Sequence, residues 1–318
     1  MNSVQPLPPF HLPVCAIFDL SGRTRLLFSG ADRVRYLNGQ LTQDLKKLRP
    51  GHALPACVTN AKGRLQADVW VAFAGDAEGP VSVDAAPELR EALAARLERY
   101  IVADDVMMED VTDNGHLLHC VGFAVPDSGK SDKSAGVVGA ETTVHRLPEL
   151  LDGFPRVTAS RLGEQGWDVL VPLGRLATIK ETLGALFESD QDWEKRRIIR
   201  GIPAWGKELD ENTLPPEAGL ERTHIDYHKG CYIGQEVISR LKSVGHVNRT
   251  LHLLSGTAEE LPATGTVFFT EAGAEAGSLT SVTRLGPEAF LALGYVKRAY
   301  QAGHFSTLSG TPLVVVSP

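Results

Sequence analysis

Residues Lys229-Gly230-Cys231-Tyr232-Ile233-Gly234-Gln235-Glu236 place two glycines, a thiol, an aromatic ring, an amide and a carboxylate within eight positions. A regular helix or strand does not select that mixture. The glycines point to a tight backbone path or a close approach to a ligand. Lys229 stands two residues from Cys231, and a nearby ammonium favours the thiolate of a cysteine. The competing reading is a packed loop around an inert, buried thiol, the common fate of a free cysteine. The remaining cysteines, Cys15, Cys57 and Cys120, are widely spaced, and no two of the four form a C-x-x-C pair. That excludes a locally encoded zinc ribbon, a four-thiolate cluster and a disulfide framework, so no metal site is expected and the thiols are expected to be reduced.

On the C-terminal side of this octapeptide, short apolar runs at 251–254, 266–270 and 290–296 alternate with glycine-bearing turns. That rhythm predicts a small all-β module, with a boundary near residue 245. On the N-terminal side, residues 14–28 read as two short strands around Ser21-Gly22. Val34, Leu37, Leu41 and Leu45 have helical spacing, interrupted at Gly39. Residues 53–73 read as a hairpin whose turn is Asn60-Ala61-Lys62-Gly63. Helices are expected over 87–100 and 174–187, and strands over 106–108, 116–121 and 167–172. The stretches 126–139 and 209–219 read as loops.

Weaker patterns carry little. Gly129-Lys130-Ser131 has Ala124 where a phosphate loop needs glycine. His224 and His228 are four apart with Cys231 following. However, Ile225 replaces the glutamate of a zinc protease and Gly230 breaks the helix such a pair needs. The chain has 32 Lys and Arg against 39 Asp and Glu, a net charge of −7 over 318 residues. That balance argues against a basic coat for duplex DNA or anionic lipid, so no direct nucleic-acid partner is expected. Residues 1–20 contain no Lys or Arg but four prolines, which fits neither a secretory signal nor a transit peptide. No apolar stretch is long enough to span a membrane. A cytoplasmic protein is expected.

The octapeptide resembles the signature of the YgfZ family of folate-binding proteins, relatives of the glycine-cleavage T-protein (aminomethyltransferase). Further segments resemble that family in the same order: residues 36–44 (YLNGQLTQD), 60–64 (NAKGR), 201–206 (GIPAWG), 216–220 (PEAGL), 277–281 (GSLTS) and 292–296 (ALGYV). The resemblance implies an α+β, T-protein-like folate-binding fold over residues 1–245 and a C-terminal small β-barrel over 246–318. It implies tetrahydrofolate or a folate derivative as cofactor. It also implies a supporting role in maturation or repair of iron–sulfur enzymes, including those that thiolate tRNA. The expected partners are therefore iron–sulfur enzymes or assembly proteins. Cys231 matches the cysteine that role requires.

Folate pairs a flat ring with a carboxylate tail, which aromatic and cationic side chains suit. Trp193 stands where the family can place a ligand-stacking tryptophan, and Tyr232, Trp205 and Arg240 are further binding candidates. Lys229 is expected beside the working thiol. Two departures stand out. The T-protein holds its pterin with a carboxylate just before the glycine matching Gly201, and here Ile198-Ile199-Arg200 stands there. Its paired aspartates after the hairpin turn are reduced here to Asp68 in Gln66-Ala67-Asp68. Asp68 is the candidate proton-transfer or ligand carboxylate. Three readings follow: an accessory factor working through Cys231, a tetrahydrofolate-dependent one-carbon transferase, motivated by Asp68, and a fold that has lost folate, motivated by Ile199.

Overall fold

The computed structural model describes residues 12–124, 145–301 and 303–316. The loop expected at 126–139, with Gly129-Lys130-Ser131, lies outside them. In chain order the elements before the octapeptide are β1 (Ala16–Asp19), β2 (Thr24–Ser29), α1 (Arg33–Gln40), β3 (Leu54–Thr59), β4 (Leu65–Phe73), β5 (Val81–Ala85), α2 (Arg90–Glu98), β6 (Met107–Asp110), β7 (His116–Val121), the two-residue strands β8 (Phe123–Ala124) and β9 (His145–Arg146), β10 (Arg156–Thr158), β11 (Gly166–Val171), α3 (Leu176–Leu183) and α4 (Asp190–Ile199). α5 (Gln235–Ser243) follows, then β12 (Arg249–Thr257), β13 (Val267–Thr270), β14 (Glu275–Arg284), β15 (Ala289–Lys297), β16 (His304–Thr307) and β17 (Pro312–Val316).

Helices and strands of both kinds confirm the α+β class. The strands form a five-stranded sheet, β3-β4-β5-β2-β6, a four-stranded sheet, β1-β7-β11-β10, and a closed barrel, β12-β15-β14-β13-β16-β17. The two strands around Ser21-Gly22 exist but do not pair. β1 joins β7, whereas β2 lies between β5 and β6. The turn therefore carries the chain from one sheet to the other. The helix beginning at Arg33 ends at Gln40, one residue past Gly39.

Strict alternation in β4 decides what each face of the large sheet does. Leu65, Ala67, Val69, Val71 and Phe73 are buried, and Val69, Val71 and Phe73 pack with Leu37 of α1, Leu41 at its end, and Leu93 and Leu97 of α2. A period of two then puts Asp68 and Trp70 on the opposite face. In the smaller sheet Leu118, Cys120, Val169 and Val171 pack with Ile179 of α3, while Asp168 and His119 pair directly across β11 and β7. The polar faces of both sheets meet at Arg161. Its guanidinium binds Asp168 of one sheet at 2.7 Å and Asp84 of the other at 2.7 Å.

α4 was not anticipated from the sequence. Ser189 and Asp192 cap its start reciprocally, and Gly201, at φ +70°, closes its end just beyond Arg200. Arg197 on this helix is almost fully buried and links it to the barrel. It bonds Glu208 at 2.9 Å, Glu194 at 2.7 Å and Ser281 of β14 at 2.7 Å. The Glu208 carboxylate also accepts from Ser281 Oγ at 2.6 Å and from the Ala204 amide at 3.0 Å.

Candidate functional site

A cavity of about 1390 Å³ lies among the two sheets, α4 and the barrel, lined by residues of each. Asp68 and Trp70 of β4 line it, as do Arg161, Trp193 of α4, Ile199 to Trp205 and the barrel residues Leu251, Leu253 and Leu293. Three of the chain's four tryptophans thus face one space. Trp167, the fourth, donates its indole N–H to the Phe123 carbonyl. The N–H groups of Trp70, Trp193 and Trp205 have no acceptor among the described residues. Trp193 packs edge-on against Phe18 and His119, with ring centroids 5.1 and 5.8 Å away. It also lines a second cavity of about 970 Å³ with Phe18, Phe187 and Lys180.

Asp68 Oδ1 is sealed from solvent and has no hydrogen-bond partner. Burial raises its pKa above the ordinary carboxylate value, and the Arg23 and Arg161 charges only partly offset this. A raised folded-state pKa means the fold binds a proton that the unfolded chain has released. The native state therefore loses stability as pH rises from the unfolded value, about 4, through the folded one. Asp68→Asn removes that loss. Its stability should match wild type near pH 4 and exceed it increasingly as pH rises toward neutral, read by urea unfolding at several pH values. A variant less stable than wild type at neutral pH would contradict this assignment.

Sequence reasoning did not foresee the buried chain beneath the cavity. His119 Nδ1 donates to Asp168 at 2.7 Å, Arg161 binds Asp168 and Asp84, and Arg23 binds Asp84 at 2.8 Å. Burial opposes ionisation of Asp168, but Arg161 and His119 outweigh it and hold the carboxyl well below its ordinary range. These residues come from separate strands and loops, so no spacing in the chain links them. Cross-strand pairing joins His119 to Asp168, and the ion pairs of Arg161 and Arg23 extend the chain to Asp84.

The octapeptide lies elsewhere. Lys229, Cys231, Tyr232 and Arg240 are absent from the cavity lining. The Lys229 ammonium, expected beside the thiol, donates to the carbonyls of Asn38, Leu41 and Gln43 at 2.5, 2.6 and 2.9 Å. Burial lowers its pKa to about 8, so it keeps its proton at neutral pH. Its three donors serve to fix this segment to the end of α1. Tyr232, expected at the ligand, is buried with Ile225, Ile238 and Tyr227 in a small core of its own. Arg240 is exposed on α5. Cys231 is exposed, whereas Cys57 and Cys120 are buried and burial raises both their pKa values. Gly234, at φ +89°, lies against the hairpin turn. A Cβ there would come within 2.4 Å of the Asn60 carbonyl, and Thr59 Oγ1 donates to Ile233 O at 2.5 Å. The two segments read separately in the sequence are therefore one packed unit.

His224 lines the cavity and its Nδ1 pairs with Thr223 Oγ1, while His228 is exposed. Among the described residues no three His, Cys, Asp or Glu side chains group as a metal site. Nor is any described helix long and apolar enough to cross a membrane.

The family model described as the GCVT N-terminal domain matches residues 13–226. The chain belongs to this family. A putative chloroplastic transferase of Arabidopsis thaliana is 29% identical over 292 residues, covering 89% of this chain and 65% of that one, so the chain spans about two thirds of that relative's length. The tRNA-modifying protein YgfZ of Sodalis glossinidius is 28% identical over 262 residues, covering 82% of this chain and 77% of that protein. The YgfZ of Klebsiella pneumoniae is 27% identical over 278 residues with the same coverage. The crystal structure of glycine cleavage system aminomethyltransferase T from Bartonella henselae superposes with a TM-score of 0.77 over 95% of this chain and 85% of that one. At 18% identity that likeness is one of fold. The expected resemblance and the T-protein fold with its barrel are thereby established. Ile199, in the segment before Gly201, lines the cavity and belongs to the hydrophobic cluster that joins the end of α4 to Leu251, Leu253, Leu291 and Leu293 of the barrel.

Proposed function

We propose that this protein is a tetrahydrofolate-binding accessory factor that supports iron–sulfur enzymes acting in tRNA modification, with Cys231 as its working thiol. The observation that carries this reading is the separation of the two sites. The cavity offers aromatic surface and hydrogen-bonding groups, and the exposed thiol stands apart from it on the signature loop. The cavity residues fit a folate. Trp193, Trp70 and Trp205 provide ring surface and free N–H donors. The unpartnered Asp68 carboxyl can bond a ring nitrogen. Arg49 and Arg222, which line the cavity without an ion-pair partner among the described residues, suit the tail carboxylates. When bound, tetrahydrofolate would supply a carrier of one-carbon units. The chain's own part is to shield the ring from water and to hold or accept one proton at Asp68 Oδ1.

The related names support the tRNA connection, since curated relatives are called tRNA-modifying proteins. A second reading, a one-carbon transferase, is favoured by the raised pKa of Asp68 in a water-poor wall. Titration with tetrahydrofolate, followed by tryptophan fluorescence, tests the shared part of both. Saturable quenching is expected, with affinity at least tenfold weaker in Trp193→Ala and in Asp68→Asn. No saturable change in the wild-type protein would overturn folate binding. A methyl- or aminomethyl-transfer assay then separates the two readings: turnover by the purified protein would replace the accessory role with the transferase.

A further inference from the structure

The charge of the whole chain conceals a local reversal. Three stretches meet around Cys231: residues 42–47 at the end of α1, the hairpin tip 59–64, and 226–249. Lys229 and the Asp226 amide tie the first stretch to the third. Gly234 against Asn60, and Gly63 against Val237, where an added Cβ would come within 3.2 Å of the valine side chain, tie the second to the third. Lys242 lies 3.6 Å from the Tyr227 ring centroid and folds α5 back over the loop. Together these stretches hold eight Lys and Arg against three Asp and Glu, a net of +5 where the rest of the chain carries −12, and an excess of +3 remains once the buried Lys229 and the Glu217-paired Arg249 are set aside.

Three of the exposed cations, Lys46, Lys62 and Arg240, have no ion-pair partner among the described residues, and Lys242 has only the tyrosine face. Among the large hydrophobic side chains exposed on the described residues, Val244 alone belongs to these stretches. A protein-docking face is built round an apolar centre. A nucleic-acid face is polar and positively charged. This one is of the second kind.

We propose that the surface around Cys231 binds RNA through its phosphate backbone, with Lys46, Lys62, Arg240 and Lys242 as the phosphate contacts. This rests on the tRNA-modification reading and names the macromolecule that Cys231 faces. It departs from the expectation of no nucleic-acid partner, which averaged the charge over the chain. Four contacts displace about four counterions, so affinity should fall on the order of 10²-fold between about 50 and about 200 mM salt.

The test is fluorescence anisotropy of the full-length protein with a labelled, unmodified tRNA transcript across that salt range. Lys62→Glu/Lys242→Glu should bind at least tenfold more weakly, with a shallower salt dependence, while Cys231→Ala binds as wild type. Should the double variant misfold by circular dichroism, Lys62→Gln/Lys242→Gln serves, with a loss of several-fold expected. Tetrahydrofolate titration of the same variants should be unchanged, so failure of this proposal is distinguishable from failure of folate binding. Absence of tRNA binding at the lowest salt, as a face for an acidic protein would give, overturns the proposal. So does binding by the folded double variant equal to wild type.

Discussion

Arg197→Met is expected to cost about 3–5 kcal/mol of stability, measured by urea unfolding, because it breaks a buried ion pair. The reason lies in what remains behind. Arg197 is 2% exposed and Glu208 is buried beside it. Removing the guanidinium leaves the Glu208 carboxylate without its cation, bonded only to Ser281 Oγ and the Ala204 amide. It also removes the bond from α4 to Ser281, so α4 and the barrel should lose their shared transition. Arg197→Met/Glu208→Gln should recover most of the loss, because the uncompensated charge is then gone. A single variant within 1 kcal/mol of wild type would show that the pair does not join the two parts.

The second large effect is functional. Cys231→Ala should leave stability within about 0.5 kcal/mol of wild type, since the side chain is exposed. In cells lacking the native protein, it should restore none of the activity of iron–sulfur enzymes that modify tRNA. Cys57→Ala and Cys120→Ala give the opposite pattern. Both thiols are buried in hydrophobic clusters, so truncation should lower stability while the folded fraction keeps its function. Full complementation by Cys231→Ala would remove the thiol from the mechanism and leave the cavity as the working site.

Much of this architecture was legible because local patterns and tertiary needs agreed. The hairpin turn at Asn60 to Gly63 and the alternation beyond it survive as β3 and β4, and the glycine-punctuated runs after residue 245 close into a barrel. What escaped was non-local. α4 reads as a charged stretch, Asp190 to Arg197, because two of its buried positions are arginines, and a burial pattern built on ion pairs has no apolar period. Tyr232 and Lys229 looked like ligand and thiol partners because their neighbours in sequence are glycines and a cysteine. Their neighbours in space are a small hydrophobic core and the carbonyls at and just beyond the end of α1. Trp193 was found through the family motif, whereas Trp70, on the polar face of β4, needed the strand period to be carried through to the face opposite the core.

The lysine that fixes the signature bonds residues 186 to 191 positions earlier in the chain. Closing a loop of that span is entropically unfavourable until the intervening sheets are in place. During synthesis on the ribosome, Asn38 to Gln43 emerges long before Lys229, and its carbonyls must wait for the rest of the region. The display of Cys231 therefore depends on contacts between the two ends of the N-terminal region, and a chain cut short before Lys229 leaves the carbonyls of Asn38, Leu41 and Gln43 without that partner.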